Sequence, residues 1–349
     1  MRILYGVQGT GNGHITRARA MSRELSAAGF EVTYLFSGRD ADKYFDMEVF
    51  KNYQLREGLT FRSSKGQISY LKTALHASPV QFVKDVRQLD LSAYDLVISD
   101  FEPVSAWAGK RQNKQVIGIG HQYAFSHDIP QRGNNLIAGQ VMQHFAPASK
   151  GVGLHWHHFD QPILPPIIET PEFAHPEFAH KVQTDTIIVY LPFEDSKEIM
   201  QLFSQFKNFR FYIYSPNVIE SRYSNILFKP LSRTGFQQDL HDSAGIISNA
   251  GFELTSESLH SGKKILVKPL RGQMEQQSNA AALEQLGYGK TMVTLDCRKI
   301  DEWLHSSQAV RVIWPNVAKI LVEWLQNEMP PMDASFIQRV WATIAASRI

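Results

Sequence analysis

The 349 residues are enough for two domains of about 160 to 180 residues, each able to bury its own core. An apolar share of 43% and a charged share of 20% describe an ordinary globular chain, and 36 Lys+Arg against 34 Asp+Glu leave +2, too little to argue for nucleic acid as the main partner. One cysteine, Cys297, excludes an internal disulfide and any multi-cysteine metal site; no apolar run reaches membrane-spanning length and Met1-Arg2-Ile3 enters a strand without a signal-peptide pattern, so the expected location is the cytoplasm.

The chain opens with an apolar run, Ile3 to Val7, that predicts a buried strand, and Ile15, Ala18, Met21, Leu25 and Ala28 then recur at helical spacing. Between them lies Gln8-Gly9-Thr10-Gly11-Asn12-Gly13-His14, a glycine loop that lets backbone approach a ligand while the helix start aims free N–H groups at the same place. The loop fits neither common nucleotide fingerprint: the sixth position from Gly9 is His14 rather than glycine, and no lysine follows as a Walker loop requires. A histidine at this position is poised for proton transfer; the plainer alternative is that His14 only caps the helix or bonds the loop.

Gly29 stops the helix and Glu31 to Phe36 predicts a second strand, which closes a βαβ unit. Phe61 to Gly66 forms a basic, aromatic-bearing loop, with Arg62 and Lys65, ahead of a helix over 69–89. Asp95 to Ser99 is a strand ending at Asp100, Glu102 to Arg111 a helix, and Gln115 to Ile119 a strand ending at His121-Gln122. Such alternation implies a doubly wound sheet with ligands beyond the strands' carboxyl ends, where Gly11, Asn12, Gly13, His14, Asp100, His121 and Gln122 all fall.

His155, His157 and His158 invite a metal reading, but no acidic or cysteine partner lies near, and a wall of the acceptor cleft is the preferred use; no metal is assigned. Prolines 162, 165, 166, 171 and 176 mark a linker over 164–183, after which the architecture repeats. Strands are predicted at 186–191, 210–214 and 225–228, with a helix from Lys197 to Phe206 capped by Ser196 and a short one from Gln237 to Ser243. Ala244 to Ser248 then leads into Asn249-Ala250-Gly251 and a helix, so a phosphate above those three residues would meet backbone donors and a dipole worth up to ~2 kcal/mol. Glu257, nearly two turns into that helix, has the directionality to accept from vicinal ribose hydroxyls. Gly262 ends it, Ile265 to Val267 is a strand, and Pro269 opens a loop through Gln276-Gln277. Helices are predicted at 317–326 and 335–346, the last with an apolar stripe of Phe336, Val340, Trp341 and Ile344.

The first loop, Gly-Thr-Gly-Asn-Gly-His, resembles the amino-terminal loop of GT-B glycosyltransferases of the MurG-like, family 28 and family 1 type, and Ser248 to Ala280 is similar to their donor signature at Gly251, Glu257, Gly262, Pro269, Gln276, Gln277 and Asn279-Ala280. His121-Gln122 resembles the His-Glu-Gln of MurG with the glutamate absent. The resemblance implies an α/β fold of two Rossmann-like doubly wound domains facing across a cleft: residues 1–163 for the acceptor, 184–328 for the donor, and 329–349 packing back on the first domain. It implies an inverting, metal-independent transfer from a nucleotide-sugar, with UDP preferred, to an acceptor hydroxyl on a glycan, a lipid-linked molecule or a small molecule, and no cofactor. His14 would be the base and Asp100 its orienting carboxylate, with Glu102 a rival; Asn249, Ala250, Gly251, Glu257, Gln276 and Gln277 would hold the donor, and the loop with Arg233 and Phe236 would meet diphosphate or base. Gly11 to Gly13, His121 and Gln122 would face the acceptor, and a lipid-linked acceptor would bring the 61–65 loop into peripheral contact with the inner membrane. Two alternatives are a UDP-sugar 2-epimerase using Glu194 and Asp195, against which Gln276-Gln277 weighs, and a non-catalytic nucleotide-sugar sensor.

Overall fold

A computed structural model describes residues 1–59, 63–64, 67–68, 79–133, 139, 142–169, 182–306 and 308–349. Phe61, Arg62 and Lys65, the first part of the helix expected at 69–89, and residues 170–181 of the expected linker lie outside the described residues.

The first lobe is built on strands β1 (Arg2–Gln8), β2 (Glu31–Ser37), β3 (Tyr53–Arg56), β4 (Leu96–Asp100), β5 (Val116–Gly120), β6 (Lys150–Leu154) and β7 (Ile163–Leu164), with helices α1 (Asn12–Ala27), α2 (Pro79–Gln88) and α3 (Pro103–Arg111). The strands form one parallel sheet in the order β3-β2-β1-β4-β5-β6-β7. Helices and loops cover both faces, so these strands are continuous apolar runs: Ile3, Leu4, Tyr5 and Val7 are all fully buried. Gly29, at φ +77°, ends α1 in a Schellman turn in which Phe30 N–H donates to Leu25 O and Gly29 N–H to Ser26 O.

The second lobe comprises β8 (Gln183–Tyr190), α4 (Ser196–Phe203), β9 (Arg210–Tyr214), β10 (Ile226–Lys229), α5 (Arg233–Asp242), β11 (Ser243–Ser248), α6 (Phe252–His260), β12 (Lys264–Val267), α7 (Met274–Gln285), β13 (Lys290–Thr291) and α8 (Cys297–Ser306). Its parallel sheet runs β10-β9-β8-β11-β12-β13. In each sheet the strand order reverses beside the first strand, between β1 and β4 and between β8 and β11, so each lobe has its ligand crevice at the carboxyl ends of that pair.

Four local expectations need correction. Asp195, not Ser196, caps α4, because its carboxylate accepts from the Lys197 and Glu198 amides. The helix expected at Gln237 begins at Arg233, capped by Ser232, so Arg233 and Phe236 stand on α5 and not in a loop. The loop expected through Gln277 ends at Gln273, and Gln276 and Gln277 occupy the first turn of α7. The last helix, α10, spans only Ala334–Trp341; Ala345–Arg348 is a strand paired antiparallel with Val310–Ile313.

α9 (Val317–Gln326) packs on α1 and carries Trp324, over whose ring the Lys150 ammonium lies, and beyond it Trp341 Nε1–H donates to Ile163 O of the first lobe at 2.7 Å. Among the described residues no helix is long and apolar enough to cross a membrane.

Candidate active site

The loop between β1 and α1 ends in Gly11, the N-cap of α1, which has no side-chain cap. His14 is therefore one turn into a helix that starts at the reversal point of the first sheet, beside the end of β4. The structure brings it to Asp100: His14 Nδ1 stands 2.7 Å from Asp100 Oδ1. Since the carboxylate only accepts, Nδ1 carries the proton and Nε2 keeps its lone pair. The His14 side chain is 14% exposed and Asp100 is wholly buried, so the dyad is dry behind and accessible in front.

Asp100 is also gripped by Arg17, whose Nε–H donates to Oδ2 at 2.7 Å and Nη2–H to Oδ1 at 2.6 Å. Burial alone would raise the Asp100 carboxyl, but the charges of Arg17 and His14 more than offset this and hold it below the ordinary aspartate range. Glu102, the rival for this role, is committed elsewhere: it caps α3 by accepting from the Val104 and Ser105 amides and takes the Ser37 hydroxyl at 2.5 Å. Burial raises its carboxyl.

In the second lobe, Gly251 caps α6 without a side-chain partner. The amides of Asn249 and Gly251 are used inside the turn, donating to Tyr190 O and Asn249 O, so of the three expected donors the Ala250 amide is left, together with the first helical amides, Phe252 to Leu254. Asn249 Nδ2–H donates to Lys268 O while its Oδ1, buried, has no partner, and Ala250 O accepts from Asn279 Nδ2–H. Glu257 is partly buried one turn farther on; burial, with Glu253 and Glu169 nearby and Arg233 and Arg19 opposing, pushes its carboxyl up to about 8. Gly13 and Glu253 meet across the lobes, a Cβ on Gly13 falling 2.8 Å from Glu253 Cγ.

Several expected site residues are placed differently. Arg233 is held by the buried Glu169, whose other partner is Arg23, so neither guanidinium is a free diphosphate ligand. Phe236 packs edge-on against Tyr190 and Tyr214. Gln276 Oε1 accepts from Leu270 N–H and fastens the loop before α7, and Gln277 abuts Gly133 of the first lobe. His121 is buried with Nδ1 at Leu154 O, Nε2 at Asn279 Oδ1 and its ring stacked on Phe252 at 4.0 Å, which makes it a pin between lobes and not an acceptor contact. Gln122 Nε2–H donates to Glu275. Gly11 and Asn12 stay partly exposed, with Asn12 Oδ1 accepting from Arg39. His155 is buried beside Trp156, whose amide donates to its Nδ1, and so lines no open wall. Glu194 pairs with Lys268 and Asp195 caps a helix, so the carboxylates nominated for an epimerase are engaged.

The residues missed at sequence level are Arg17, Glu253 and Glu169, and Asn279, read only as a helix start in the donor signature, bonds His121 across the lobes. Arg17 had a signal, for it is three residues past His14 and on the same helix face.

Two Rossmann-like lobes, each with its glycine turn facing the other, define the GT-B class of fold. The sequence pattern of glycosyl transferase family 1 matches residues 1–307, and the chain belongs to that family. A Methanosarcina acetivorans protein described as an uncharacterized glycosyltransferase is 25% identical over 84% of each chain. Among solved structures, the glycosyltransferase SnogD from Streptomyces nogalater superposes with a TM-score of 0.53 at 16% identity, covering 98% of this chain and 99% of that one. The glycosyltransferase VinC, solved in complex with dTDP, does so with 0.52 at 11% identity, covering 98% and 99%.

Proposed function

We propose that this glycosyltransferase moves a sugar, with inversion, from a nucleotide-sugar on the second lobe to an acceptor hydroxyl held near the Gly11–His14 turn of the first. The observation that carries the reading is the His14–Asp100 pair at 2.7 Å, in which Nδ1 is taken by the buried carboxylate while the His14 side chain stays 14% exposed. The acceptor oxygen attacks the anomeric carbon on the face opposite the nucleotide while its proton passes to His14 Nε2. The bond from that carbon to the diphosphate oxygen breaks, and the electron pair leaves with the diphosphate. Asp100 stabilises the imidazolium that forms, as a buried carboxylate does for a histidine base. The uncapped first-turn amides of α6, rather than a metal ion, receive the departing charge. Asn249, Ala250 and Gly251 shape that turn, Glu257 accepts from the ribose, and Gln276-Gln277 border the sugar; UDP is the preferred nucleotide.

The test is a thermal-shift panel of UDP, dTDP, GDP and the corresponding nucleotide-sugars. Ligand at about 100 times Kd stabilises the folded form by ~2.7 kcal/mol, so UDP or a UDP-sugar is expected to raise the melting point clearly. A panel in which no nucleotide does so contradicts the proposed donor site.

A further inference from the structure

Arg17 is the largest buried cation at the site, 1% exposed, and its three guanidinium nitrogens are divided between the lobes. Nε and Nη2 fork onto the two oxygens of Asp100, and Nη1 donates to Oε1 of Glu253, on the first turn of the second lobe's α6. Asp100 thus has both oxygens fixed by one planar group, which sets the plane in which Oδ1 meets His14 Nδ1. The opposite side of that group is fixed only by the other lobe. Glu253 Oε2, buried and unpartnered, marks the far end of this chain of contacts.

We propose that Arg17 is a positioning residue that sets the plane of the His14–Asp100 pair and is itself braced from the donor lobe by Glu253, so the base is held in register by contact between the two lobes. The inference rests on the base assignment above. Arg17 touches no substrate; it acts through Asp100. Its fork holds Asp100 from within the first lobe, and Glu253 of the second lobe clamps the far end of the same planar group. A lobe that carries the donor then orients the base, which keeps His14 from activating an acceptor, or water, before a donor is in place.

The charged and titratable groups around this unit are Tyr5 from β1, Asp100 from β4, His121 from the turn after β5, Glu253 from α6 and, beyond it, Glu275 from α7. Replacing Arg17 by Gln removes the fork on Asp100 together with the charge, whereas Arg17→Lys keeps the cation but not the fork and is expected to lower kcat less.

The experiment measures kcat and donor KM, on a nucleotide-sugar that is turned over, for the full-length protein and for R17Q, R17K, E253A and the R17K/E253A double variant, each checked for a cooperative melt. The expected results are a kcat loss of about 100-fold in R17Q and about 10-fold in R17K, with donor KM held in both. E253A is expected to lower donor kcat/KM by about 10-fold, and the double variant to be little worse than R17K, as befits residues acting as one unit. A loss that falls on donor KM alone in R17Q, full activity in R17K, or additive losses in the double variant overturns the proposal. If R17Q does not fold, the R17K and double-variant results decide it alone. His14→Ala run beside them separates the two claims: if it keeps full turnover the base assignment itself fails, whereas if it loses turnover and the coupling is absent only the inference about Arg17 fails.

Discussion

The two glycine turns of this molecule are built alike, and the proposed transfer assigns them opposite ends of one reaction. Both follow a buried parallel strand at the reversal point of a doubly wound sheet, and both place an uncapped glycine, Gly11 or Gly251, before a helix. What separates them is the first helical turn. In α1 it bears His14 and then Arg17, tied to the carboxylate at the end of β4, and in the proposed transfer that turn supplies the base. In α6 no basic side chain stands there, and in the proposed transfer the amides themselves take the anion. The lesson is that a shared strand-turn-helix frame does not set the chemistry; the side chains one turn inside the helix do.

The comparison breaks most sharply at the carboxylate that only the first turn possesses. Asp100→Asn keeps the shape but can leave His14 in the wrong tautomer with Nε2 protonated, and steady-state kinetics should show kcat falling about 10²- to 10⁴-fold with donor KM held. A loss below 10-fold would mean that the second turn carries most of the catalysis.

The next test is steric. A Cβ on Gly13 would stand 2.8 Å from Glu253 Cγ, whereas a Cβ on Gly251 meets nothing within 4 Å. Gly13→Leu is therefore expected to wedge the lobes apart and cost about 100-fold in kcat/KM, read in steady-state kinetics. Unchanged kcat/KM would show that the close approach of the turns has no role.

The smallest effect concerns charge on the donor side. Burial leads the causes that push Glu257 up to about 8, so the folded protein holds that proton to higher pH than the unfolded chain does. Folding then takes up a proton between the ordinary carboxylate range and about pH 8, and stability declines as pH rises across that window. Glu257→Gln lacks this penalty, so melting curves from about pH 5 to about pH 9 should show its advantage over the parent growing with pH. A constant gap would place Glu257 in open solvent.

How much of this was legible follows from which interactions are local. Both turns could be read directly, because strand, glycines and helix are contiguous and each has a composition of its own. The nomination of Asp100 followed from topology, since a residue ending the strand next to β1 must lie near the first loop. That Glu102 is unavailable was not readable: its capping of α3 is local, but its contact with Ser37 joins residues far apart in the chain. Arg17 stood in the sequence beside its partner, yet an arginine on a helix reads as solvated until Asp100 and Glu253 are seen to enclose it. The partner of Arg233 was equally hidden, since Glu169, which pairs with it, sits within the expected 164–183 linker and gives no sign of returning to α5. The final strand, Ala345–Arg348, was hidden by helix-favouring alanines; pairing with Val310–Ile313 overrides that preference.

The central claim is that an imidazole in one lobe takes the proton while the other lobe keeps the nucleotide. The most direct measurement pairs nucleoside diphosphate release with nucleotide binding in His14→Ala. The account predicts that UDP still raises the variant's melting point as it does the parent's, while release from the UDP-sugar falls by about 10³-fold or more. Undiminished release with binding retained would contradict it.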